Sequence, residues 1–184
     1  LSSTLATNAL VEKKGPDPCV ILIGFNEQMV KKSHILELVS KEKVVRINGG
    51  HRYDGKENAP LDLKKLKEFL NASKKSYQTF AIAANYSVRN SDHELKASEI
   101  VKKHCGRRIC ISSNITKDLN TPRRAYTTTL NAKIQPLMEE LLQAVKSAME
   151  EFKLDVPLMM VKGNGSIDLA EYAVNHPIET LASG

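Results

Sequence analysis

The chain has 184 residues, enough for one large domain or two small ones around a sizeable core, with 41% hydrophobic and 26% charged residues and a net charge of +6. Its cationic doublets, among them Lys31-Lys32, Lys102-Lys103 and Arg123-Arg124, are interleaved with Asp and Glu and, without Trp, lack a stacking platform, so no nucleic-acid partner is expected. The longest strand-like apolar runs fall under about 8 residues against the roughly 20 a membrane helix needs, and no basic region leads into an apolar core at Leu1-Ser2-Ser3-Thr4-Leu5, so neither a membrane span nor a secretory signal is read.

In chain order, Ser3 caps a first helix through Lys13, with Leu5, Ala9 and Leu10 on its apolar face and Gly15 as its stop. Pro16-Asp17-Pro18 breaks the chain. Cys19-Val20-Ile21-Leu22-Ile23-Gly24 is a continuous apolar run, the pattern of a strand covered on both faces, which favours a parallel or mixed sheet between helical layers. A short second helix opens at Ser33 and carries Ile35, Leu36, Leu38 and Val39. Lys43 to Ile47 is the second strand, and from Gly49 to Pro60 the composition turns to Gly, His, Asp, Asn and Lys, a loop outside the sheet.

Leu61 to Lys75 returns to helical spacing through Leu63, Leu66, Phe69 and Leu70, and Gln78 to Asn85 is a third strand. Asp92 caps a helix that ends near Cys105, and His93 and Glu94 fall in its first turn, where a carboxylate opposes the positive end of the helix dipole. Arg108 to Ser112 is the fourth strand. Between Leu130 and Phe152 apolar residues recur at steps of three or four, a sustained helical stripe. Pro136 removes one backbone donor there; it either kinks or divides the helix near Ala132 or begins a second one. Pro157 to Val161 is the fifth strand, Lys162 to Ser166 the turn after it, and Asp168 to Asn175 a last short helix. The alternation gives an α/β class, with a mostly buried mixed sheet and helices on both sides.

Several groups of residues invite chemistry. Thr127 and Asn131 lie four apart, neighbours on one helical face, so Pro122 to Ala132 presents a polar patch beside an apolar stripe. Lys162-Gly163-Asn164-Gly165-Ser166 follows a strand, where glycines let backbone amides approach a ligand, but its spacing matches neither a Walker loop nor a dinucleotide fingerprint. A plain tight turn and a ligand loop both remain open. His51 with Asp54 and Glu57 has no ligand geometry in its spacing and reads as a solvated loop, so no metal is expected, while helix capping accounts for Asp92-His93-Glu94. Cys19, Cys105 and Cys110 have no metal spacing and read as reduced core thiols of a cytoplasmic protein. No nucleophile elbow, paired-His zinc motif or Cys nucleophile motif is present.

Five ordered segments resemble the hydantoinase/oxoprolinase family, specifically its hydantoinase A-like subunit. Ser3-Thr4-Leu5-Ala6-Thr7-Asn8-Ala9 is similar to its Gly-Thr-Thr-x-Ala-Thr-Asn-Ala segment. Ser87-Val88-Arg89-Asn90-Ser91-Asp92-His93-Glu94 is similar to its Ser-x-x-Asn-Pro-x-His-Glu element, with Ser91 where Pro is usual, and Arg124-Ala125-Tyr126-Thr127-Thr128-Thr129-Leu130-Asn131-Ala132 to its Arg-x-x-Thr-x-x-Leu-Asn-Ala helix. Met160 to Ser166 and Pro177 to Gly184 take the places of its next two landmarks. On this resemblance, residues 1–118 are the amino-terminal-type region and 119–184 the start of the core region.

The resemblance implies an actin-like, ribonuclease-H-like ATPase fold and a parent enzyme that couples ATP cleavage to the opening of cyclic amides such as 5-oxoproline or hydantoins. Phosphorylation of an amide oxygen would create the leaving group, and magnesium would neutralise the phosphates. Other readings are a subunit of an ATP-dependent carboxylase and a non-catalytic interaction domain on the same scaffold. A partner subunit or homo-oligomer is possible within the family. Thr4, Thr7, Asn8, Thr127, Asn131, Lys162, Gly163, Asn164 and Gly165 are the implied cleft-lining residues, and Ser183-Gly184 the start of a phosphate-binding element. The chain reads as a central piece without the Asp-x-Gly-Gly-Thr phosphate loop, expected to bind ATP weakly and to be inactive in isolation.

Overall fold

Alternation in the first strand sets the architecture. In the computed structural model, which describes residues 4–12, 14–72, 77–105 and 108–181, β1 (Cys19–Ile23) is buried at all five positions. Cys19, Ile21 and Ile23 join one apolar cluster, with α3 (Leu63–Ala72) supplying Leu66 and Leu70 and α4 (Asp92–Cys105) supplying Ala97 and Val101. Val20 and Leu22 face the opposite cluster, with Phe25, Ile35, Val39, Ala125 and Ala132. A strand whose successive side chains point to opposite faces can be apolar throughout only if both faces are covered, as here.

β1 sits inside a four-stranded sheet of order β2-β1-β3-β4, with β2 (Val44–Ile47), β3 (Thr79–Ala84) and β4 (Arg108–Ile111). All three pairings are parallel; Ile23 lies opposite both Ile47 and Ala84. The order reverses about β1, because β2 pairs on one side of it and β3 on the other. The sheet, α3, α4 and the residues up to Ala132 form one compact unit, 17–132.

The second unit comprises 4–16 and 133–181. It holds α1 (Leu5–Val11), the hairpin of β5 (Met159–Val161) and β6 (Ile167–Leu169), and α7 (Ala170–Asn175). The antiparallel pairing sets Met159 against Leu169 and Val161 against Ile167. Parallel and antiparallel pairing thus occur in two separate sheets, and the fifth strand belongs to the hairpin.

Three local expectations are corrected. The second helix is α2 (Glu27–Ser33), which ends where a helix was expected to begin: Asn26 caps it by accepting from the Met29 N–H at 2.8 Å, and His34 stops it in the left-handed region at φ 55°. Ile35–Glu37 then forms a 3-10 turn. Asp168 and Leu169, expected to open the last helix, belong with Ile167 to the strand β6, reached through Gly165 at φ 82°. Pro136 does not divide the long helix: α6 runs unbroken from Thr121 to Glu151. The carbonyl that Pro136 leaves without its helical donor is that of Ala132, and the buried Thr79 hydroxyl donates to it at 2.9 Å.

Candidate functional site

In open parallel sheets the crevice beyond the carboxyl ends of the strands, where strand order reverses, is the usual ligand position. Here that edge is occupied by the chain itself. Gly24, Gly49 and Gly50 lie so close that a Cβ on Gly24 would stand 2.5 Å from the Gly49 carbonyl oxygen. The Gly24 N–H donates to Ile47 O, Asn85 N–H to Ile23 O, and His51 N–H to Asn85 O. The segment after β2 is thereby laid across the ends of β1 and β3.

His51 is therefore buried, against the expectation of a solvated loop: backbone bonds draw it under the strand ends. Its ring lies 4.4 Å from that of His93, and its Nδ1 has no hydrogen-bond partner among the described residues. The Gly50 N–H donates to His93 Nδ1 at 2.8 Å, which leaves the His93 proton on Nε2, donated to Glu57 at 2.9 Å. Burial first, then the neighbouring His93, holds His51 below the ordinary imidazole value, against the opposite pull of Asp92 and Glu57.

Beside this pair lies a second buried network. The Glu94 carboxylate accepts from the Ala84 N–H at 2.7 Å, the Ser112 hydroxyl at 2.5 Å and the Ser113 N–H at 3.1 Å. Arg124, fully buried, donates to Ser112 Oγ at 2.9 Å, the Asp118 carbonyl at 2.8 Å, the Ala84 carbonyl at 2.8 Å and Ser87 Oγ at 3.0 Å. Ser112 relays between the two charges, and α5 (Ser112–Ile115) presents it directly after β4. Burial lowers the Arg124 pKa while Glu94 and Asp118 raise it, and a guanidinium stays charged under such pulls. Capping therefore does not explain His93 and Glu94: both are buried and bonded across the edge. The sequence signal for this network was present in the segments Ser87 to Leu95 and Arg124 to Ala132, but spacing alone does not reveal that they meet.

The expected lining residues fall into distinct roles. Asn8 on α1 and Thr4 just before it are exposed and their side chains meet at 3.4 Å, with Thr7 half-buried. On α6, Thr127 is half-exposed and bonds back to the Arg123 carbonyl, whereas Asn131 is buried with its amide 3.4 Å from Cys110 Sγ. The pair does not form one exposed patch, because the face reached at Asn131 is turned into the core. Cys19 and Cys110 are buried thiols.

The Lys162 to Ser166 segment is the turn of the β5–β6 hairpin. Lys162 Nζ lies 3.0 Å from both Asp168 and Glu179 and 4.8 Å from the centre of the Tyr172 ring, and the carboxylates, Glu179 foremost, raise its pKa. The Gly163 N–H donates to Glu179 O at 2.7 Å, and a Cβ on Gly163 would collide with the Leu181 carbonyl oxygen. Asn164 accepts from the N–H and hydroxyl of Ser166, and the Gly165 N–H donates to Lys162 O. Ser183 and Gly184 lie outside the described residues. No group of three or more His, Cys, Asp or Glu among the described residues could hold a metal, and no described helix is long and apolar enough to cross a membrane.

Comparison with known proteins places these features in context. The family model for the hydantoinase/oxoprolinase N-terminal region matches residues 1–105, and that for hydantoinase/oxoprolinase matches 124–184. An uncharacterized protein of Methanocaldococcus jannaschii is 25% identical over 203 residues, covering 100% of this chain and 30% of that protein. Caprolactamase subunit alpha of Pseudomonas jessenii is 26% identical over 196 residues, covering 94% and 28%. The crystal structure of ATP-dependent caprolactamase from Pseudomonas jessenii superposes with a TM-score of 0.85 at 22% identity, over 100% of this chain and 29% of that one. Nucleotide-free acetone carboxylase gives 0.77 at 18%, over 99% and 29%. These likenesses bear out the α/β class, part of an actin-like ATPase-type fold. The chain spans 30% and 28% of the length of the two curated relatives.

Proposed function

The chain belongs to the hydantoinase/oxoprolinase family, and on that premise we propose that it is a segment of an ATP-dependent enzyme that opens cyclic amides. The observation that carries this reading is the order of the two family regions along the chain, joined to a relative named as a caprolactamase subunit. We place the boundary between the regions at 118–119, just before α6. A partner subunit belongs to the same reading, since that relative is called subunit alpha.

The described residues do not by themselves fit ATP and magnesium. The glycine turn spends its Gly163 and Gly165 N–H groups on Glu179 and Lys162 carbonyls, and among the described residues no acidic cluster could hold the cation. We therefore assign nucleotide and metal binding to other parts of a longer polypeptide, and expect this chain alone to be inactive. Thr4, Thr7, Asn8 and Thr127 are proposed as lining residues, each on its own unit. Asn131, held beside Cys110, and the Lys162 to Gly165 turn, whose lysine is held by the Asp168 and Glu179 carboxylates, are proposed with them, again each on its own unit.

A second reading has a specific observation in its favour: the likeness to acetone carboxylase supports an ATP-dependent carboxylase. Incubating the complete gene product with ATP and 5-oxoproline, a hydantoin or caprolactam, and detecting the ring-opened amino acid by mass spectrometry, separates the two. Ring opening that requires ATP is expected. Fixation of bicarbonate onto a ketone, with every cyclic amide left intact, would replace the first reading by the second.

A further inference from the structure

The 4–16 and 133–181 unit carries exposed apolar residues that none of the described residues covers. Phe152, Val156 and Ile167 are 73%, 60% and 63% exposed, and Leu154 and Leu169 about half. The hairpin register explains how those of the two strands come to one side. Met160 turns inward and is fully buried, so Met159, Leu169 and Ile167 point to the other face together. Leu154, Val156 and Leu169 also border a hollow of about 320 Å³, whose charged residues are Lys146, Glu150 and Glu171. Among the described residues β5 and β6 pair only with each other, and a lone two-stranded hairpin is marginal in water.

Exposed apolar side chains around a hollow with charge beside it have the form of an interface, since soluble monomers seldom leave large apolar patches bare. Its composition favours a permanent neighbour over an exchanging one, because permanent interfaces are the more apolar class. The relatives indicate where that neighbour comes from: this chain accounts for 30% and 28% of their length, so most of each polypeptide lies outside the matched part. We propose that the face formed by 152–159 and the outward side of the β5–β6 hairpin is an internal interface, covered by the remainder of the same, longer polypeptide, which seats apolar side chains in the hollow beside Leu154 and Leu169.

Hydroxyl-radical footprinting of the complete gene product, purified as a monomer without other subunits, tests this directly. Phe152 and Met159 are reactive reporters on the face, each ratioed to its own rate in urea-unfolded protein; Phe80, 1% exposed, sets the buried floor. Protection of Phe152 and Met159 by at least tenfold, approaching that of Phe80, is expected. Labelling of Phe152 near its unfolded rate would overturn the proposal, as it would if the complete gene product were no longer than this chain. Protection that appears only on dimerisation, or only after a second subunit is added, would also overturn it and give the face to that partner.

Discussion

Arg124 is the residue on which the carboxyl edge depends. It is the cation that faces the buried Glu94 carboxylate, through Ser112, and it also closes the backbone at Ala84. Arg124→Met would leave Glu94 uncompensated, and removal of one member of a buried charge pair costs about 3–5 kcal/mol. Urea unfolding should show a loss of that size, and a loss below about 1 kcal/mol would mean the network is solvated. His51 gives a pH dependence. Its pKa in the folded chain lies below 6.5, so under about pH 6.5 the unfolded chain takes up a proton that the folded chain refuses. Stability should fall as pH drops through that region, and less steeply in His51→Gln. Parallel curves for the two proteins would remove His51 as the source.

At the scale of elements, the long helix tolerates Pro136 because Thr79 replaces the missing donor to Ala132 O. Thr79→Val should cost about 1–3 kcal/mol, the penalty of an orphaned buried carbonyl. Combining it with Pro136→Ala should recover part of that loss, and additive losses would show that the two do not act on the same carbonyl. In the hairpin turn, Gly163→Ala should destabilise more than Gly165→Ala. The first meets the Leu181 carbonyl oxygen, whereas the second has open space and only its left-handed backbone to strain, about 1 kcal/mol. Equal melting temperatures for the two variants would contradict the close approach of residues 179–181.

Which elements were legible follows from the same physics. The doubly covered strand Cys19–Ile23, α4 and β4 announce themselves by pattern. α2 does not, because its start is a single Asn26 cap before a mostly polar run, and β6 is too short for an alternation to show. The edge networks were illegible for a different reason. Glu94, Ser112 and Arg124 lie on three separate elements, and neither periodicity nor spacing encodes which of them meet. Likewise Thr127 and Asn131 share a helical face by spacing, but only packing decides that Asn131 is turned inward.

For the whole molecule, the parallel-sheet unit has its usual ligand crevice closed by its own glycines and histidines, and the glycine turn of the other unit spends its amides internally. Both observations support the proposal that ATP binds outside the described residues and that this chain is a supporting part of a larger catalyst. The most direct measurement is phosphate release by the complete gene product with its copurifying subunits, followed with and without a cyclic amide. The account predicts that phosphate appears only when the amide is present, one equivalent for each ring opened. Phosphate release at the same rate in the absence of every cyclic amide, with none of them consumed, would contradict it.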